Sequence, residues 1–142
     1  MQVKDVMTSS VISISPDETV AVAARSLSRN NVGSLPVCTA DGKLKGMLTD
    51  RDIVLRSVAT DENADSQPVR DIMTRRVITV TPEDPISVAA NLMAREQVRR
   101  LPVVRGSNLV GMLAMKDLIE APGMTLSAAQ VLEDVSSNIR KP

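Results

Sequence analysis

The sequence predicts a mixed α/β (α+β) fold of two β-α-β-β-α units packed with pseudo-twofold symmetry. Three observations carry that expectation. The chain repeats itself, with Val3 aligning on Val69 at an offset of 66 positions. Each copy holds the same succession of short β-rich runs and amphipathic stretches. At 142 residues and 43% hydrophobic content the chain suits one compact domain, or two small halves sharing a core.

The repeat is long and nearly gapless. VKDVMT (3–8) lies over VRDIMT (69–74), and VISISPDETVAVAA over VITVTPEDPISVAA. NNVGSLPV lies over EQVRRLPV. One residue is then dropped, and GMLTDRDIV (46–54) lies over GMLAMKDLI (111–119). With two copies only, a pseudo-symmetric pair is more economical than a solenoid. The expected division is repeat one at 1–59, a polar linker at 60–68, repeat two at 69–120 and a C-terminal helical extension at 121–142.

Within each copy the order follows from periodicity. VISIS (11–15) and VITVT (77–81) read as β-runs, each ended by proline at 16 or 82. Asp17 and Glu18 precede a helix whose expected N-cap is Thr19. Val20, Ala23, Ala24 and Leu27 mark its apolar face, matched by Ile86, Ala89, Ala90 and Met93. LPVC (35–38) and LPVV (101–104) read as buried strands. DG (41–42) and GSN (106–108) read as turns, so each Leu-Pro-Val strand forms a hairpin with KLKGML (43–48) or LVGML (109–113). Second helices are expected over 50–58 and 116–120. In the tail, Thr125 as cap with Leu126, Ala129, Leu132, Val135 and Ile139 gives a helical stripe.

Composition excludes several functions. Net charge is zero, and Phe, Tyr and Trp are absent. That speaks against nucleic acid, which needs basic surface and uses aromatic stacking on single strands. No apolar run is long enough for a membrane span, and the N-terminus has no signal-peptide core. Cys38 is the only cysteine, so no internal disulfide forms, and a cytoplasmic setting is expected. There is no histidine, hence no His-based general base and no thiol–imidazole zinc site; no metal and no enzymatic activity are expected. No GxxxxGK[ST] loop is present.

The ordered motif set resembles the CBS domain, the cystathionine-β-synthase-type regulatory module, here as a stand-alone tandem pair (a Bateman module). The resemblance rests on Val-x-Asp-(Val/Ile)-Met-Thr, then Val-Ile-(Ser/Thr)-(Ile/Val)-(Ser/Thr)-Pro, then Leu-Pro-Val, then Gly-Met-Leu-x-x-x-Asp, each found twice across about residues 3–120. It implies a flat module that often dimerises into a disc. It also implies clefts between the units for adenosine ligands: AMP, ADP, ATP or S-adenosylmethionine. The nucleotide is a regulatory ligand, with no catalytic cofactor.

Carried over residue by residue, the resemblance pairs Thr49, Asp50 and Asp52 with Ile78, Thr79, Val98, Arg99, Arg100, Leu101 and Pro102. The residue chemistry agrees. Backbone N–H groups at the helix start, the Thr49 hydroxyl and the two arginines suit phosphate. The Asp52 carboxylate suits the vicinal diol of ribose. Ile78 and Val98 offer apolar contact to a base. A second, weaker cleft pairs Lys116 and Asp117 with Ser13, Ile14, Val32, Gly33, Ser34, Leu35 and Pro36. There Ala114 replaces Thr49, and Gly33-Ser34 replaces Arg99-Arg100.

Each residue also has a plainer reading. For Arg99 and Arg100 the plainer reading is solvated charges beside a strand, against which their place inside the repeated motif counts. Asp52, Asp117 and Thr49 serve as helix-start residues. The expected function is a sensor that binds AMP, ADP or ATP and transmits occupancy to a regulated partner, as a homodimer. The alternatives are a ligand-free scaffold or an S-adenosylmethionine binder.

Overall fold

The computed structural model describes residues 1–122; the expected stripe from Leu126 to Ile139 lies outside the described residues. Helix α1 spans Val20–Asn30, strand β1 Ser34–Cys38, strand β2 Leu44–Thr49 and helix α2 Asp50–Ile53, which continues as a π-helical turn over Val54–Val58. Helix α3 spans Ile86–Glu96, β3 Arg100–Arg105, β4 Asn108–Ala114 and α4 Met115–Ile119. Short 3-10 turns lie at Val3–Asp5 and Val69–Asp71. The fold is α+β, with two separate two-stranded antiparallel sheets, β1-β2 and β3-β4. No described helix is long and apolar enough to cross a membrane.

Local chemistry sets these elements. Thr19 caps α1, its hydroxyl oxygen accepting from the Val22 N–H at 3.3 Å. The polar stretch 60–68 also serves α1: Val20 N–H donates to Gln67 O and Ala21 N–H to Ala64 O, both at 2.9 Å. These bonds satisfy donors that a helix start leaves free. α3 starts at Pro85 without a side-chain cap, and its Ile86 N–H donates to Met1 O at 3.2 Å. Gly42 and Gly106 close the two hairpins at φ +88 and +64, the left-handed region that glycine enters without Cβ strain.

The expected β-runs 11–15 and 77–81 shrink to single parallel bridges, Ile14–Val37 and Val80–Val103. Ile14 N–H donates to Pro36 O, and Cys38 N–H donates to Ile14 O. Extending that ladder in either direction would require an N–H from residue 16 or residue 36. Both are proline, which has none. Residues 82 and 102 impose the same limit in the second copy.

The chain divides into two compact units that cut across the repeats. One is Ile12–Val77; the other joins Met1–Val11 to the described chain from Ile78. The repeats 1–59 and 69–120 thus exchange their opening segments. Val3 is buried in the core of Ile86, Met93, Leu101 and Leu113. Val69, Ile72 and Met73 are buried with Val20, Leu27, Leu35 and Leu48. Matching backbone bonds fix both segments: Thr8 with Met112 and Thr74 with Met47, each by two bonds of 2.8–2.9 Å. Glycine in the Gly-Met-Leu motif permits the approach. A Cβ on Gly46 would stand 2.6 Å from Thr74 O, and one on Gly111 would stand 3.0 Å from Thr8 O.

Candidate functional site

In the unit Ile12–Val77, strand β2 turns into α2 at Thr49. Thr49 and Asp52 cap each other: the Asp52 N–H donates to Thr49 Oγ1, and the Thr49 N–H donates to Asp52 Oδ2, both at 3.0 Å. The Asp50 N–H donates to Gly33 O at 3.0 Å, and the Arg51 N–H to Asp50 Oδ1 at 2.8 Å. The expectation of free N–H groups here for phosphate is therefore corrected. The first three donors of α2 are already taken, by a carbonyl, a carboxylate and a hydroxyl. Two carboxylates at this turn also repel an anion. The Thr49 hydroxyl keeps its own proton to donate.

Asp52 is 7% exposed, one of two buried polar or charged side chains among the described residues. Its carboxylate has further partners. The Thr74 hydroxyl lies 3.3 Å from both oxygens, and Arg56 Nε lies 3.9 Å from Oδ1. Arg56 also donates to Ile72 O at 3.3 Å. Burial of a carboxylate is tolerated when hydrogen bonds and a cation compensate it, as here.

The matching turn in the other unit is sparser. The Ala114 N–H donates to Asp117 Oδ2 at 3.0 Å, but Ala114 has no hydroxyl to return the bond. The Met115 N–H donates to Arg99 O at 2.8 Å, mirroring Asp50 and Gly33. Thr8 occupies the place of Thr74 through its backbone bridge, yet it is exposed. Among the described residues, the Asp117 carboxylate accepts from the Ala114 backbone N–H alone.

Ser13, Ile14, Val32, Gly33, Ser34 and Pro36 share one unit with Thr49, Asp50 and Asp52. Ser34 pairs with Thr49 in register. Ile78, Thr79, Val98, Arg99, Arg100, Leu101 and Pro102 share the other unit with Lys116 and Asp117, where Arg100 pairs with Ala114. Arg99 and Arg100 are exposed, with no ion pair among the described residues. Leu35 and Leu101 are core side chains, at 2% and 0% exposure. Cys38 is buried beside Ser13; burial pushes its thiol pKa up, and a hydrogen bond from Ser13 partly offsets that.

Two features are not evident from the sequence motifs. Thr74, in the opening motif of copy two, is a side-chain partner of Asp52 in copy one. Gly46 and Gly111 are sites of close backbone approach. The signal for both is recurrence, since Met-Thr and Gly-Met-Leu occur in each copy.

The CBS domain matches twice, over residues 3–59 and 69–123. The chain belongs to the CBS domain family. Among curated CBS relatives, the CBS domain-containing protein YhcV of Bacillus subtilis is 41% identical over 134 residues, covering 94% of each chain. Hypoxic response protein 1 of Mycobacterium tuberculosis is 32% identical over 115 residues, 81% of this chain and 80% of that one. A crystal structure of Hypoxic Response Protein I, with two coordinated zinc ions, has TM-score 0.79 at 31% identity, covering 86% of this chain and all of that one. A thiol–imidazole zinc site has no ligand set in this chain. The chain has no histidine and one cysteine, and no metal-holding group of three His, Cys, Asp or Glu occurs among the described residues. The CBS domain pair of protein MJ0100, solved in complex with 5-methylthioadenosine and S-adenosyl-L-methionine, has TM-score 0.72 at 28% identity, covering 83% of this chain and 92% of that one.

Proposed function

We propose that this CBS pair is a regulatory module for an adenosine nucleotide, AMP, ADP or ATP, whose occupancy a partner protein reads. The observation that carries the choice of a phosphate-bearing ligand is Arg99-Arg100. Both guanidinium groups are exposed and without ion pairs among the described residues, immediately before Leu-Pro-Val. Guanidinium forks match phosphate oxygens. In the unit Ile12–Val77, Thr49 supplies a hydroxyl donor and Asp52 takes the ribose diol, with Asp50 beside them; Ile78, Thr79, Val98, Leu101 and Pro102 belong with the arginine pair to the other unit. Of the weaker expectation, Lys116 and Asp117 lie in one unit and Ser13, Ile14, Val32, Gly33, Ser34 and Pro36 in the other, with no arginine pair among them. The role is that of a sensor, because binding acts on a partner only by favouring one of two states.

S-adenosylmethionine is the second reading, favoured by the adenosine ligands bound to the MJ0100 pair. The proposal also includes a homodimer. Val54, Leu55 and Val58, at 55%, 47% and 64% exposure, form an apolar surface on the helix after Asp52. A monomer mass in sedimentation would remove the dimer from the proposal.

The test is thermal unfolding with AMP, ATP and S-adenosylmethionine. A ligand at about 100 times its dissociation constant adds ~2.7 kcal/mol, a midpoint shift of several degrees for a chain of this size. AMP or ATP is expected to stabilise more than S-adenosylmethionine. The reverse order supports the second reading, and no shift with any of the three leaves a ligand-free scaffold.

A further inference from the structure

We infer that Thr74 is the positioning residue for Asp52, and that its hydroxyl makes the two aspartates of the pair unequal. The inference rests on the proposal that Asp52 receives the ribose diol. A carboxylate accepts two hydroxyls well only if its plane is held toward them. One Asp52 oxygen is fixed by the Thr49 N–H at 3.0 Å. That single bond leaves rotation about the Cβ–Cγ bond, a broad torsion. The Thr74 hydroxyl, 3.3 Å from both Oδ1 and Oδ2, is the second anchor that stops it.

Thr74 is itself held firmly. Its backbone is bridged to Met47 in both directions, and the glycine at 46 brings that backbone close. Arg56 ties the same segment through Ile72 O while facing Asp52 Oδ1. The second copy offers a control within the same chain. Thr8 repeats the backbone bridge, to Met112, yet among the described residues Asp117 accepts only from Ala114. The backbone frame is thus common to both copies, and the hydroxyl-to-carboxylate bond is not.

The experiment titrates AMP and 2′,3′-dideoxy-AMP calorimetrically into the full chain and its Thr74→Val, Thr74→Ser and Thr8→Val variants. The wild type is expected to prefer AMP. Thr74→Val is expected to weaken AMP binding roughly threefold to tenfold, the range for one hydrogen bond. The dideoxy analogue should bind unchanged, so the preference shrinks by the same factor. A purely structural role for Thr74 would weaken both probes alike. Thr74→Ser keeps the hydroxyl and is expected to keep the preference, and Thr8→Val should alter neither. A preference retained in Thr74→Val, or lost in Thr74→Ser, overturns the role of Thr74 while the ribose reading of Asp52 stands. No preference in the wild type overturns both.

Discussion

The turns at Thr49–Asp52 and Ala114–Asp117 share a backbone and differ in chemistry. Each follows a hairpin strand, each gives its first helical N–H to the residue before the Leu-Pro-Val strand, and each places an aspartate three residues on. At Asp52 that frame carries a reciprocal cap, a threonine hydroxyl and an arginine. At Asp117 it carries one backbone bond. The arginine pair follows the opposite rule, since Arg100 stands beside Ala114 and Ser34 stands beside Thr49. Duplication preserved what folds the chain and left the polar groups free to diverge, because a surface side chain changes at little cost to stability.

If the frame is equivalent, matched core truncations should cost the same. Leu48 and Leu113 are both fully buried, on the strands that lead into the two turns. Leu48→Ala and Leu113→Ala should each cost about 2–5 kcal/mol in urea unfolding. A clear inequality would show that one unit is the weaker half of the fold.

A finer test lies at the exchanged openings. An alanine Cβ at Gly46 meets backbone, Thr74 O at 2.6 Å, whereas at Gly111 its nearest neighbour is the Met7 sulfur at 2.6 Å. A thioether end moves aside, and a carbonyl fixed in a bridge does not. Gly46→Ala should therefore cost about 1–3 kcal/mol, and Gly111→Ala less. Equal costs would mean that the two openings are seated alike despite the different neighbour.

Much of this frame is legible in the sequence alone. The α1 cap at Thr19, the apolar faces of α1 and α3, and both hairpins follow from periodicity and turn residues. The β-runs at 11–15 and 77–81 pair over less of their length than alternation implies, because alternation reports a β-prone run but not whether its neighbour has N–H groups to offer. Prolines 36 and 102 lie in the partner strand, so their effect appears only once pairing is known. The exchanged openings are hidden for a related reason. A repeat boundary in sequence says which residues are homologous, whereas packing decides which are neighbours. Thr74 becomes a partner of Asp52 through that exchange, 22 residues along the chain.

The aspartates themselves give a smaller difference in stability and a larger one in binding. Asp52→Ala removes a cap partner and the acceptor for Thr74, an expected loss of about 1–2 kcal/mol; Asp117→Ala should lose less than about 1. In the same proteins Asp52→Ala and Arg100→Ala should weaken nucleotide binding, and Asp117→Ala should do so less. Equal binding losses at Asp52 and Asp117 would overturn the ranking of the two aspartates.

The least effect expected belongs to Cys38, whose counterpart at the matching position is Val104. Burial raises the thiol pKa, so the folded chain keeps a proton that the unfolded chain releases. The native state then binds more protons, and stability falls as pH rises above about 8.5 toward the folded value. Below that range the contribution is fully present. One thiol limits the slope to about 1.4 kcal/mol per pH unit, and partial ionisation keeps it lower. No tyrosine titrates nearby to mask it. Urea unfolding of wild type and Cys38→Val from pH 7.5 to 10 should show the extra downward slope in wild type alone. Parallel profiles would mean that the thiol is ionised as readily in the folded chain as in the unfolded one.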